Sequence, residues 1–302
     1  MWRFSAQQKV YEIGGFKVGG EVGENSTLMI GSIFYKGDKA VKDEKIGIFD
    51  RELVEKRIKN AEELSDRTGL SAMIDVVCSN PEAAEKYVEF VSEYTNLPIS
   101  IDAVSVEAAV KGLEAAARLK ILDRTVFNSL TPETKEQVYA KIKEVGLKSA
   151  IILTYSTKAI ISSKERVKVL ESLIPKVEAA GIEKILVDTV VVDIATIGLA
   201  CRAIHEIKER FGYPSGCGAH NAIASWKTLK EKKDRMLNAV FSAIVNGLPI
   251  AVGADFVLYG PIDAADHAFP VVGLINATYG QVLMEEGKRL NLTHPRFKIA
   301  TF

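Results

Sequence analysis

At 302 residues, with 39 Lys and Arg against 39 Asp and Glu, the chain has no net charge to draw it to nucleic acid or an anionic membrane surface. Hydrophobic residues at 47% and charged ones at 26% exclude a disordered chain, and the length suffices for a large buried core.

The predicted elements follow in chain order. Residues 1–26 contain KVYEI-GG-FKVGG, a β-hairpin with a Gly-Gly turn, since glycine supplies the positive φ such turns need. The same GG-x3-GG would suit a phosphate loop, but no G-x-x-x-x-G-K-[ST] follows and no helix starts there. The hairpin is therefore read as plugging a barrel floor.

Eight short apolar runs come next: TLMIGSIFY (27–35), SAMIDVV (71–77), LPISIDAV (97–104), RTVFNSL (124–130), SAIILTY (149–155), KILVDTVVV (184–192), GCGAHNAI (216–223) and ADFVLYG (254–260). Runs apolar on both faces suit a parallel sheet covered by helices. Between them, Pro81 to Tyr94 opens with proline and an acid, as helix starts do. Ser105 with Glu107, and Thr131-Pro132-Glu133, are further helix starts. Residues 163–180, 195–211 and 226–245 supply three more helices, with Gly181 as a C-cap.

The most apolar stretch, residues 238–254, holds Asn246-Gly247 and Pro249 and is followed by Asp255. It reads as a helix, a turn and a strand rather than a membrane span. The opening MWRFSAQQKVYEI has no apolar core of signal-peptide length, and Cys78, Cys201 and Cys217 are odd in number and far apart. A cytoplasmic protein with free thiols is expected. With no C-x-x-C and no H-E-x-x-H, no metal site is expected.

Taking run ends near Tyr35, Val77, Asp102, Asn128, Tyr155, Asp188, Asn221 and Val257, the steps are about 25 to 42 residues. Eight such units predict an α/β fold of the (β/α)8 TIM-barrel type, residues 1–302 forming one domain with 1–26 as a hairpin extension. A doubly wound open sheet is the structural rival.

Active sites of parallel barrels lie at the C-terminal strand ends. The polar residues there are Asp102, Asn128-Ser129, Asp188 and His220-Asn221, with Asp75 inside the second run. Singly each has a bland alternative: Asp102 as a helix cap, Asn128 as an acceptor for loop amides, His220 as a structural histidine. Together, two carboxylates and two carboxamides suit a flat neutral heterocycle with a mixed donor and acceptor edge. A pterin has this edge.

ISIDAVSVEAA, VFNSLTPET, ILVDTVVVD and GCGAHNAIASW, in that order, resemble the pterin-binding barrels of the tetrahydropterin methyltransferases. The opening YEIGGFKVGGEVGE…GSIFYKGDKAVKDEKIGIFD resembles the family of the tetrahydromethanopterin S-methyltransferase H subunits and their stand-alone relatives, which serve one-carbon metabolism including methanogenesis. The resemblance spans essentially the whole chain. It implies that Asp102, Asn128 and Asp188 hold the pyrimidine edge, and that Asn221 reaches N5 and is the catalytic group. Asp75, Ser129 and His220 are supporting candidates, His220 as a proton relay.

The implied reaction moves a methyl group between N5 of tetrahydrofolate or tetrahydromethanopterin and the cobalt of a corrinoid. No D-x-H-x-x-G is present, Asp266-His267 lacking that spacing, so the corrinoid must come on a separate partner protein. A homodimer is implied, without nucleic-acid binding or membrane insertion. Two other readings stand beside it: a non-catalytic docking component of a larger complex, and a barrel lyase or isomerase. The latter would want a Schiff-base lysine or a phosphate turn after the eighth strand.

Overall fold

The computed structural model describes residues 3–302, apart from the side chain of Lys230. The chain opens with an antiparallel hairpin, β1 (Val10–Ile13) and β2 (Phe16–Gly19). The first barrel strand, β3 (Leu28–Ile33), leads through a small ribbon of β4 (Val41–Asp43) and β5 (Ile48–Phe49) into α1 (Arg51–Thr68). Then come β6 (Ser71–Cys78), α2 (Pro81–Tyr94), β7 (Ile99–Ala103), α3 (Val106–Arg118), β8 (Thr125–Leu130), α4 (Glu136–Val145), β9 (Ser149–Leu153) and α5 (Ser163–Ala179). The last units are β10 (Lys184–Asp188), α6 (Thr196–Phe211), β11 (Ser215–Cys217), the short α7 (Asn221–Ala224) and α8 (Lys227–Lys232), α9 (Arg235–Ala251), β12 (Phe256–Pro261), α10 (Ala265–Glu285) and α11 (Pro295–Lys298).

Strands β3 and β6 to β12 close into a parallel barrel, β12 pairing back onto β3. The open-sheet alternative is thereby excluded. Inward side chains Leu28, Ile30, Met73, Val126, Ile151, Leu186, Phe256 and Leu258 fill the interior. Ile13 and Val18 of the hairpin join that cluster fully buried, so the hairpin stoppers the N-terminal end as the sequence predicts. A larger apolar layer lies between the strands and the helices.

Local capping chemistry sets four of the long helix starts. Asp50, Ser105, Ser162 and Asp234 each accept a backbone N–H of the first turn of α1, α3, α5 and α9. Three helix boundaries differ from the sequence reading. Helix α4 starts at Glu136 because a turn closes first, Thr134 Oγ1 accepting the N–H of Thr131 and Thr131 Oγ1 that of Glu133. The helix expected over 226–245 breaks at Lys233, whose φ is +51°, and restarts from the Asp234 cap. The turn expected at Asn246-Gly247 is absent, since α9 runs through to Ala251. Gly247 is there for packing: a Cβ would stand 3.1 Å from Ile275 and 3.2 Å from Val271 of α10. Among the described residues no helix is long and apolar enough to cross a membrane.

Candidate active site

Strand register builds the mouth of the barrel. Ser32 pairs with Asp75 across β3 and β6, and Asp75 with Ser100 across β6 and β7. One layer further toward the mouth, Asp102 pairs with Asn128 across β7 and β8. Because strand side chains alternate, these residues share the interior face.

Asp75 is the hub of this layer. It is buried and accepts hydrogen bonds from Ser32 Oγ (2.8 Å), Ser100 Oγ (2.5 Å) and Asn128 Nδ2 (3.0 Å). A carboxylate can only accept, so the Asn128 amide is oriented with its NH2 toward Asp75 and its carbonyl free for the mouth. Asn128 therefore serves the carboxylate rather than nearby loop amides. Asp102 is no helix cap either; Ser105 fills that place. Burial and then the negative Asp75 push the Asp102 carboxyl well above the usual range.

Opposite them, Asp188 ends β10. Its Oδ1 accepts the N–H of Val190 at 2.7 Å, which requires Val190 to adopt φ +63°. A β-branched residue in the left-handed region is strained, and strain of this kind concentrates at functional sites. Burial pushes Asp188 up to about 6, against the lowering effects of the Val190 N–H, the positive Arg166 and the Gly218 N–H. Arg166 on α5 is fully buried, donating from Nε to Ala159 O (2.8 Å) and from Nη2 to Ile160 O (3.1 Å). It thereby ties the loop after β9 to α5.

Strand β11 stops at Cys217, earlier than the sequence suggests, and Asn221 is the first residue of α7. Between them Gly218 leaves room for the site. A Cβ there would stand 3.2 Å from Asn221 Nδ2 and 3.9 Å from both Asp188 Oδ2 and His220 Cε1. The Asn221 amide has no protein partner among the described residues and so is available to a ligand. His220 packs against Gly260, and its Nδ1 lies 3.1 Å from Leu258 O. A carbonyl can only accept, so Nδ1 carries the hydrogen and Nε2 is the acceptor. Burial lowers the His220 pKa, keeping the ring neutral at pH 7.

Ser129 takes no part in this network; it lines a groove with Asp102, Ser105 and Val138 beside α3 and α4. Among the described residues no cluster of three His, Cys, Asp or Glu could hold a metal ion.

Ser32, Ser100, Gly218 and Arg166 were not singled out by the sequence reading. The serines had a signal, being polar residues in phase with Asp75 in otherwise apolar strands. Arg166 had none, since an arginine early in a helix usually points to solvent.

Residues 6–290 match the family described as tetrahydromethanopterin S-methyltransferase MtrH subunit. The chain is 34% identical to the H subunit of tetrahydromethanopterin S-methyltransferase from Methanothermobacter marburgensis, over 99% of this chain and 100% of that one. It is 33% identical to the corresponding H subunit from Methanocaldococcus jannaschii, again over 99% and 100%. Among solved structures, dihydropteroate synthase from Thermus thermophilus superposes with a TM-score of 0.60 at 13% identity, covering 90% of this chain and 100% of that one. At that identity the likeness establishes the barrel fold alone.

Proposed function

The chain belongs to the MtrH family of tetrahydromethanopterin S-methyltransferase subunits, and on that premise we propose that it is a methyltransferase moving a methyl group between N5 of a tetrahydropterin and the cobalt of a corrinoid carried by a separate protein. The family name favours tetrahydromethanopterin over tetrahydrofolate as the carrier. The observation that carries the reading is the convergence of Asp102, Asn128, Asp188 and the unpartnered Asn221 amide on one barrel mouth.

In this reading Asp188, ionised at neutral pH, accepts the paired N–H groups of the 2-amino-pyrimidinone edge. Asn128 offers its carbonyl, and Asp102 completes the contacts to the ring. Asn221 stands across Gly218 from Asp188, where its NH2 reaches N5. In the methyl-accepting direction the N5 lone pair would attack the methyl carbon in line, the cobalt–carbon bond breaking with both its electrons left on the partner protein's corrinoid and the N5 proton being released. In the reverse direction a tertiary amine leaves poorly, so N5 needs a proton or a strong hydrogen bond as the C–N bond breaks. The Asn221 amide supplies the latter electrostatically. The bound ring also holds N5 in line for the transfer.

The chain carries no D-x-H-x-x-G corrinoid-binding sequence. Asp266, at the start of α10, accepts from Asn60 Nδ2 at 3.0 Å, and Asp266-His267 are not followed by the glycine of a corrinoid-binding sequence. A corrinoid protein docking over the mouth is the partner proposed. A homodimer is proposed as well: Met236, Val240, Ile244 and Leu248 recur exposed at every fourth position of α9, beside exposed Leu274 of α10. Such an uncharged stripe pairs with a two-fold copy of itself. A cytoplasmic location completes the reading.

The test is calorimetric titration of tetrahydromethanopterin and tetrahydrofolate into the wild type and into Asp188→Ala. Binding of one carrier, lost in the variant, supports the assignment. Failure of both carriers to bind would return the protein to a barrel of unassigned chemistry.

A further inference from the structure

The two carboxyls on the β6–β7 side of the mouth receive opposite treatment from the protein. Asp75 accepts three hydrogen bonds, from Ser32, Ser100 and Asn128. Asp102, one strand over and nearer the opening, accepts none from the protein among the described residues. Neither has a salt-bridge partner among those residues, so no cation neutralises the pair.

Two neighbouring carboxylates without a cation do not both ionise in a poorly solvated site. Donated hydrogen bonds decide which one keeps the charge, and all three go to Asp75. The other groups facing the pair leave this outcome unchanged. Cys78 on β6 is a buried thiol pushed further up by burial, then by Asp102 and Asp75. His220, which feels Asp75 from the loop after β11, is neutral, and Asn128 on β8 is uncharged.

We propose that Asp102 meets the pterin ring as a neutral carboxylic acid, donating one hydrogen bond and accepting another, while Asp75 is the positioning residue that holds the negative charge behind it. The inference rests on the pterin reading and deepens it. Asp188 is then the one anion at the ring edge, and the two mouth carboxyls have distinct work: one accepts a pair of N–H groups, the other faces a mixed edge. Opposed environments around two carboxyls are how acid and anion are told apart within one site.

A carboxamide imitates a neutral acid, one face donating and one accepting, but cannot imitate a carboxylate. Tetrahydromethanopterin binding is therefore measured by calorimetry for wild type, Asp102→Asn and Asp188→Asn, with thermal melting to verify folding. Asp102→Asn is expected within about threefold of wild type, whereas Asp188→Asn loses about 10- to 100-fold, the worth of a charge-assisted pair. A second measurement follows affinity against pH in Asp75→Asn. With the anchor charge removed, the Asp102 carboxyl ionises at lower pH than in wild type and affinity falls as pH rises, a trend that Asp75→Asn/Asp102→Asn abolishes.

A loss in Asp102→Asn as large as in Asp188→Asn would overturn the proposal while leaving the pterin assignment standing. So would a pH profile of Asp75→Asn identical to that of wild type. If Asp75→Asn fails to fold, the comparison of the first two variants decides alone. Failure of wild type to bind the pterin would remove the reading and this inference together.

Discussion

The Asn221 amide and the Asp188 carboxylate face one another across Gly218, a Cβ at that position standing 3.2 Å from Nδ2 of the first and 3.9 Å from Oδ2 of the second. A methyl group there would be tight against the amide and in ordinary contact with the carboxylate. Gly218→Ala is accordingly expected to displace the Asn221 amide by a few tenths of an ångström and fill the space a ring would enter. The expected result is pterin affinity about tenfold weaker or worse with a melting temperature little changed, read by calorimetry and thermal denaturation. Unchanged affinity would place the ligand elsewhere.

Asn221→Ala separates binding from chemistry. If the amide acts on N5 chiefly in the transition state, kcat falls about 100- to 1000-fold, with KM for the pterin nearly unchanged. Steady-state transfer with a methylated corrinoid protein makes the measurement. A rise in KM at constant kcat would mean that Asn221 only binds.

Asp188 gives the site its acid limit. With its carboxyl raised to about 6, the ionised form that accepts two N–H groups is present above that pH and is lost as pH falls through it. Pterin affinity should drop on acidification through about pH 6, a dependence that Asp188→Asn removes. The sign for stability is opposite. A folded-state pKa above the ordinary carboxylate value means the folded chain binds the proton more tightly, so stability falls as pH rises from about 4 to 6. Asp188→Asn should therefore melt no lower than wild type at pH 7.

Arg57 braces the first and last units of the barrel against each other. Its Nη1 lies 2.6 Å from Asp38 Oδ1 and its Nη2 lies 2.7 Å from Asp263 Oδ2, joining the loop after β3 to the loop after β12. The Asp38 side chain is fully buried, whereas half of Asp263 is exposed. Arg57→Met strands a buried carboxylate and is expected to cost about 3–5 kcal/mol in urea denaturation. Asp263→Asn, at the solvated end, should cost under about 1 kcal/mol.

Ile244→Glu puts a charge in the middle of the exposed α9 stripe. If this face joins two copies, light scattering should show the mass halve from dimer to monomer, with the barrel still folded. A wild type already monomeric at high concentration would reject the pairing.

The positions of Asp102, Asn128, Asp188 and Asn221 were legible because strand tips carry polar residues after apolar runs, and a barrel places functional groups there. Less legible was what lies behind them. Asp75 reads as one acid inside an apolar strand until the register brings Ser32 and Ser100 alongside it. Arg166 reads as a helix-surface cation until the loop after β9 folds over it. The helix through Gly247 and Pro249 also escaped local rules, because packing against α10 decides it, whereas the restart at the Asp234 cap is a local signal that the sequence reading passed over.

Apolar periodicity, helix caps and the count of eight strand–helix units are local properties, and from them the sequence alone determined the barrel, its floor hairpin and the polar residues at its mouth. Side-chain protonation, amide orientation and the placing of Asn221 and Asp188 around Gly218 are relations between segments distant in the chain. Those were decided only by the tertiary structure, since burial and neighbouring charge, which set them, come into being when the barrel closes.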